Sequence, residues 1–393
     1  MTSLTLLIPT RNRPFFLSKT LRYYANMGCK HVIMIGDASS PSEYGQNQSV
    51  VQEFSGILHV IHHRHNPETN PTGGANPVAS TVKLLEEVDT PYAVWSGDDD
   101  FLVPAHLQKC VDFLESHNDH SLACGKAAWV FVDILPDQRL EISQIWAGTD
   151  RLIQSEVPSR RLVEYAYPSV AINTFSVQRT QNMLYNWERA FQILGPGKHY
   201  DHLHEIAVNV MSLIQGKQVA LPGLYHVMLR HNQKVAPAKG WDLFQRLLEW
   251  DWPNQVKNVL DWLATGLADH EGIEHEKASR IVEAAFLYCI LPLLTRQRGY
   301  RLAEMGLLPQ EEFHNKPLKH YLAKIPGARK IWRLLNGQYT FSLSDWRNNG
   351  RYEISLNAFL DHRSVYHDDF MAIYNCLTTA EGSPCGSALP SAH

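Results

Sequence analysis

Three carboxylates stand in a row, Asp98-Asp99-Asp100, two residues after the apolar run Pro91–Trp95. Adjacent acids repel one another, and folding them close together is costly unless a cation neutralises them. Carboxylate oxygens are hard ligands suited to Mg²⁺ or Mn²⁺. Such an ion can bridge a diphosphate and stabilise it as a leaving group. The alternative is a solvated acidic turn. Asp37 ends another apolar run, in MIGDASS. There it can accept hydrogen bonds from a base imide or ribose hydroxyls, or serve as a turn residue supported by Ser39 and Ser40. Histidines gather at His62, His63 and His65, and again at His199, His202 and His204 beside Asp201 and Glu205. On a strand, His63 and His65 share a face and could bind a metal. The second cluster raises the idea of a zinc hydrolase. Neither matches HExxH, so solvated or capping roles are expected of the first cluster. In the second, an acceptor-site role competes with a structural one. Gly73-Gly74 lacks the GK[ST] of a P-loop and reads as a flexible stretch.

The elements that must position these residues alternate along the chain. LTLLIP, residues 4–9, reads as a strand buried on both faces. Pro14 opens a helix whose Phe16, Leu17, Leu21, Tyr24 and Met27 recur near the helical period, with Gly28 as its cap. HVIMI, residues 31–35, is the next strand, so the opening is a βαβ unit. A third strand is expected at Ile57–His62, a helix at Val78–Val88, a fourth strand at Pro91–Trp95 and a helix at Leu102–Leu114. This alternation predicts a doubly wound, mostly parallel α/β domain with ligands beyond the C-terminal strand ends. Further on, Ala127–Leu135 reads as a strand, Glu205–Ile214 as a helix and Lys217–Leu221 as a short strand. From Trp241 the pattern is helical. The expected division is a catalytic domain at 1–235, a mainly helical extension at 236–380 and a flexible tail at 381–393. Trp241, Trp250, Trp252 and Trp262 sit at helical spacings that favour the core over sugar stacking.

Three of these segments together resemble a known family. LTLLIPTRNRP, VIMIGDASS and WSGDDDFLVPAHL are similar, in that order, to the opening strand, second strand and Asp-x-Asp segment of family 2 glycosyltransferases. The resemblance covers about residues 4–231. It implies a Rossmann-like GT-A fold and an inverting sugar transfer from a nucleotide diphosphate sugar. Under it, Pro9, Thr10, Arg11, Arg13 and Asp37 would cradle the donor, with Gly74 near its phosphates. Asp98, Asp99 and Asp100 would hold ribose and a Mn²⁺ or Mg²⁺ ion. Counting back from Pro104 makes Asp99 the metal ligand, and reading the acids directly makes it Asp100. The family's base lies about eleven residues before a glycine, which selects Glu205 before Gly216, with Asp201 as the alternative. His231 resembles a histidine that would be a further metal ligand or a diphosphate contact, and His226 competes with it.

Composition narrows the rest. Lys and Arg total 36 against 40 Asp and Glu, a net charge of −4, which excludes a broadly basic nucleic-acid-binding surface. Protonating all 20 histidines would carry the charge to +16, so acid should perturb the fold. The six cysteines form no CxxC pair, and with no secretory segment read they are expected as reduced thiols in a cytoplasmic protein. The run AAFLYCILPLL is too short to cross a bilayer and reads as a buried helix, with a membrane-surface or homo-oligomer contact as the minority reading. The rivals to a glycosyltransferase are a metal-dependent hydrolase or nucleotidyltransferase using the same acids, and a non-catalytic nucleotide-binding or scaffold protein. The acceptor, whether glycan, lipid-linked or small molecule, is not written in these motifs.

Overall fold

The computed structural model describes residues 3–65, 78–135, 140–147, 152–166, 173–195, 203–231, 251–304, 352–353, 359 and 362–378. Strands β1 (Leu4–Thr10), β2 (Val32–Asp37), β3 (Val60–Arg64) and β4 (Tyr92–Trp95) run parallel in the order β3-β2-β1-β4. A short strand, β8 (Gln178–Arg179), is added antiparallel to β4. Helices α1 (Pro14–Asn26), α2 (Pro41–Phe54) and α3 (Val78–Glu86) carry the connections. Successive side chains of a strand point to opposite faces. Leu4, Leu6, Ile8, Ile33, Ile35 and Val94 therefore enter one core, while Leu7, Val32, Met34, Ala93 and Trp95 enter another. Burial on both faces is why these strands read as unbroken apolar runs. The expected α/β architecture with a parallel sheet and a helical C-terminal region is present.

A second sheet packs on the first core. It orders β10 (Tyr352–Glu353), β7 (Leu140–Ala147), β6 (His120–Ile134), β9 (Lys217–His231) and β5 (Asp100–Leu102). Helices α4 (Pro104–Ser116), α5 (Pro158–Ala166), α6 (Thr180–Leu194) and α7 (Leu203–Gln215) complete this part. Several elements differ from expectation. The third strand begins at Val60 rather than Ile57, and α2, β7, α5 and α6 were not foreseen. The short strand expected to end at Leu221 continues to His231. Gly125 and Lys126 on β6 pair with Leu221 and Leu224, so Pro222 and Gly223 bulge out and the ladder resumes.

Helices Trp252–Glu271 and His275–Glu304 pack in the second core with α5 and α7, and Trp252 and Trp262 are buried there as expected. Gly272, at φ 68°, takes the left-handed cap that ends the first of them. The last described helix, His367–Thr378, returns to α1. It sends Phe370, Ile373 and Leu377 into the first core, and its Cys376 Sγ donates to the Lys19 carbonyl at 3.2 Å. The expected boundary at 235/236, Trp241, Trp250 and the tail at 381–393 lie outside the described residues. The described helices beyond that boundary share both cores with the sheets. Among the described residues, five cysteines are buried and form no disulfide, and no helix is long and apolar enough to cross a membrane.

Candidate active site

Parallel pairing of β1 with β4 puts the two strands' C-terminal ends side by side. The turn Thr10–Arg13 therefore meets Gly97–Asp99. Asn12 adopts φ 55°, a left-handed conformation that asparagine tolerates better than most residues. Its backbone N–H donates to Ser39 Oγ at 2.7 Å, and its Oδ1 accepts from the Ser40 N–H at 2.8 Å. These bonds fix the β1 turn against the β2 turn. Thr10 Oγ1 donates to Asp98 Oδ2 at 2.6 Å, and Arg13 Nη1 donates to Asp98 Oδ1 at 2.6 Å. Arg13 Nη2 donates to Asp99 Oδ2. The guanidinium thus spans both carboxylates, and it stacks on Phe16 with 4.5 Å from Cζ to the ring centre.

The third contributor comes from β9. Asp100 pairs with Met228, so the antiparallel register carries the end of β9 past Asp99. His231 Nε2 lies 3.0 Å from Asp99 Oδ2 and 2.9 Å from Arg13 Nη2, and its ring stacks on Phe16 at 4.5 Å. One nitrogen cannot both donate to Asp99 and accept from Arg13. In one tautomer Nε2–H donates to Asp99; in the other, with its lone pair on Nε2, His231 accepts from Arg13, and both Asp99 Oδ2 and His231 Nε2 then point lone pairs at the same guanidinium nitrogen.

Charge in this cluster is unevenly held. Burial pushes the Asp98 carboxyl up to about 6, with Arg13 pulling against it and Asp99 adding to it. Burial also opposes ionisation of Asp99, but Arg13 and His231 overcome it and hold that carboxylate well below its usual range. Arg13 stays charged: burial works against it, and Asp98 and Asp99 outweigh burial. Arg11, beside it, is less well served. Its buried Nε and Nη1 have no hydrogen-bond partner among the described residues, and burial alone lowers its pKa.

The nominated metal ligands separate. Asp99 and His231 converge, whereas Asp100 is buried and turned toward His226, whose Nε2 lies 3.7 Å from its Oδ2. Two cis ligands of an octahedral ion at about 2.1 Å lie about 3.0 Å apart, which fits the Asp99–His231 spacing. Among the described residues, no group of three or more His, Cys, Asp or Glu side chains is arranged to hold a metal. Two protein ligands still suit Mg²⁺-like ions that draw their remaining ligands from water and substrate phosphates. The residues present therefore fit such an ion. Gly97 precedes the three acids. A Cβ there would lie 2.7 Å from Asp100 Oδ2 and 3.0 Å from Asp99 Oδ1, so the following acids fill that space.

Asp37 is bonded closely within the protein. It is 0% exposed, and its oxygens accept from the Ser39 N–H, from Asn47 Nδ2 at 2.8 Å and from His62 Nε2 at 3.0 Å. Burial raises its pKa, but these bonds more than offset that and hold it low. It offers no free face to a ligand. Outside it, Tyr44 stacks on His62, and Arg64 lies 4.1 Å over the Tyr44 ring. Sequence reasoning missed this platform because α2, which carries Tyr44, buries only Asn47 and Phe54 and has almost no apolar stripe. The metal-binding alternative weighed for His63 and His65 is not formed: His63 pairs with Glu87, while His65 Nδ1 is 2.5 Å from Ser80 Oγ.

Glu205 lies in the first turn of α7. One turn on, Asn209 bonds Thr174 at 3.2 Å, and the neighbouring Phe175 packs on Trp95 and His226. Through Thr174, α7 is thus tied to the segment that packs on Trp95 and His226. His204 Nε2 bonds the Gly195 carbonyl at 3.1 Å. Asp201, Gly74, His199 and His202 lie outside the described residues. Pro9 is the penultimate residue of β1, facing Gly36 across the sheet.

No protein-family model matches this chain, and no curated protein matches it. Solved structures do. The chain is similar to S. aureus TarS 1–349, with 12% identity over 84% of this chain and 83% of that one, at a TM-score of 0.47. The same protein in complex with UDP-GlcNAc gives 12% identity over 73% and 72%, at a TM-score of 0.47. The mannosyltransferase PcManGT from Pyrobaculum calidifontis, in complex with GDP-Man and Mn²⁺, gives 10% identity over 85% and 87%, at a TM-score of 0.36.

Proposed function

We propose that this chain is a GT-A glycosyltransferase that moves a sugar from a nucleotide diphosphate sugar to an acceptor hydroxyl, with inversion. The observation that carries this reading is the meeting of Arg13, Asp98, Asp99 and His231 beyond the C-terminal end of the parallel sheet. Ligands of open α/β sheets collect there. The buried, unpartnered N–H groups of Arg11 call for an anion, and a diphosphate supplies one. Pro9, Thr10 and Asp98 border the nucleotide in this reading. Asp37 acts at one remove by fixing Ser39, Asn47 and His62. Asp99 and His231, rather than Asp100, would hold Mn²⁺ or Mg²⁺. Such an ion, when bound, supplies positive charge to the departing diphosphate.

Glu205 takes the acceptor hydroxyl proton, with Asp201 as the alternative. The acceptor oxygen then bonds the anomeric carbon as its bond to the diphosphate breaks, and that electron pair leaves on the nucleotide diphosphate. Glu205→Gln keeps the shape and removes the basicity. Turnover should fall by about 10²–10⁴-fold with donor affinity nearly unchanged. The acceptor is a glycan, a lipid-linked sugar or a small molecule, and the buried thiols suit a cytoplasmic setting. A thermal-shift panel of UDP, GDP and their sugars, with and without Mn²⁺, tests the reading. A ligand at 100 times its Kd stabilises by about 2.7 kcal/mol, and at least one nucleotide with Mn²⁺ should do so. No shift with any nucleotide diphosphate would overturn it.

A further inference from the structure

We propose that Arg13 is an exchangeable internal cation: it occupies the metal position between Asp99 and His231, and a divalent ion enters only as Arg13 leaves for the donor diphosphate. The inference rests on the glycosyltransferase reading for the diphosphate and on this structure for the exchange. Arg13 Nη2 sits on the point where Asp99 Oδ2 and His231 Nε2 converge. A guanidinium nitrogen and a divalent ion cannot share that point. Both are positive, and each needs the same two lone pairs.

The surroundings let the arginine move. Its side chain retains 19% exposure, unlike that of Asp98 at 4%. It hangs from the turn that precedes α1, and its flat face rests on Phe16 rather than in a closed cage. Asp98 keeps its bond from Thr10 if Arg13 withdraws. Arg11 lies two residues away with two donors unsatisfied, so an anion drawn to Arg11 is within reach of a displaced Arg13. Charge balance favours the exchange only with both ligands present. The acids lose one positive charge and gain two, and the freed guanidinium finds phosphate oxygens, which it can grip with two N–H groups at once. Metal without nucleotide leaves Arg13 displaced with no anion to receive it. The two ligands therefore bind cooperatively.

Mn²⁺ binding to the full chain, measured by electron paramagnetic resonance or calorimetry without nucleotide, tests the exchange directly. An arginine that fills the site in nine molecules of ten weakens apparent metal affinity about tenfold. Arg13→Gln should therefore bind Mn²⁺ about tenfold or more tighter than wild type. Arg13→Lys, which keeps a charge on a smaller head, covers the case in which the glutamine variant does not fold. Its affinity should lie above that of wild type, because an ammonium cannot span both acids. In wild type, nucleotide diphosphate should raise Mn²⁺ affinity, and in Arg13→Gln this coupling should shrink. Equal or weaker Mn²⁺ binding by folded Arg13 variants overturns the exchange, as does Mn²⁺ binding by neither protein. If the variants tighten Mn²⁺ but no nucleotide diphosphate binds wild type, the exchange stands and the glycosyltransferase reading falls.

Discussion

Two acids lie a short step beyond a glycine at the C-terminal edge of one parallel sheet, Asp37 as the last residue of β2 and Asp99 in the turn after β4, and they are built for different work. Asp37 is sealed: it has 0% exposure and accepts from a backbone N–H, an amide and an imidazole. Asp99 keeps 19% of its side chain exposed and is held by Arg13 and His231, whose nitrogens lie 2.9 Å apart. The partners of Asp37 are local, compact and buried. The chief partner of Asp99 is a long cationic side chain that can withdraw. The same residue type at one sheet edge is thus a buried fastener in one turn and a partly exposed, cation-held acid in the other.

The largest effect that would break this comparison lies at the fastener. Asp37→Ala removes the shared acceptor of three donors, two of them buried, and the fold should lose about 3–5 kcal/mol in urea titration. A loss below about 1 kcal/mol would mean that the seal is dispensable. Asp99→Asn should do the reverse. Its melting temperature stays near that of wild type while Mn²⁺-dependent nucleotide binding weakens by about 100-fold or more, given that even outer partners of metal ligands are worth 10–100-fold.

The preceding glycines sharpen the contrast at smaller amplitude. At Gly36 a Cβ would lie 2.4 Å from Ser80 Oγ and 2.8 Å from His65 Cε1, so Gly36→Ala should cost about 1–3 kcal/mol of stability. At Gly97 the added carbon meets the acids themselves, so Gly97→Ala should weaken metal binding more than it weakens the fold. Matching stability losses with no difference in Mn²⁺ affinity would erase the distinction.

The smallest effect is graded with pH. His65, whose N–H bonds the Asp37 carbonyl at 2.8 Å, is held down to about 4, first by burial and then by Lys83. Burial likewise holds His106 down to about 4. Unfolded, each takes up a proton near its ordinary 6.5, so the unfolded chain binds more protons between those values. Stability should be full above about pH 6.5 and fall toward pH 4, at no more than about 1.4 kcal/mol per pH unit for each histidine. Urea midpoints across that range check the sign, and His106→Leu should flatten the slope.

What could be read from the sequence follows the same division. The unbroken apolar strands and the helix opened by Pro14 announced the parallel sheet and the acid-bearing edge, because period and burial are local signals. The polar α2 and the bulged β9 were hidden: one has almost no apolar stripe, and the other resumes its ladder after Pro222-Gly223. The sealing of Asp37 depends on Ile35 standing opposite His62, a pairing between strands that no local pattern encodes. The convergence of Asp99 with His231 is similar, since 132 positions separate them and only the β5–β9 register brings them together. The return of the helix at His367–Thr378 onto α1 is likewise a matter of tertiary packing.

The central claim is that the open acidic turn, and not the sealed one, receives metal and nucleotide diphosphate. Calorimetric titration of a nucleotide diphosphate chosen from the thermal-shift panel, with and without Mn²⁺, tests it on wild type, Asp99→Asn and His231→Ala. The account predicts Mn²⁺-dependent binding in wild type and its loss in both variants while their folds persist. Wild-type affinity with unchanged Mn²⁺ dependence in the folded variants would contradict it.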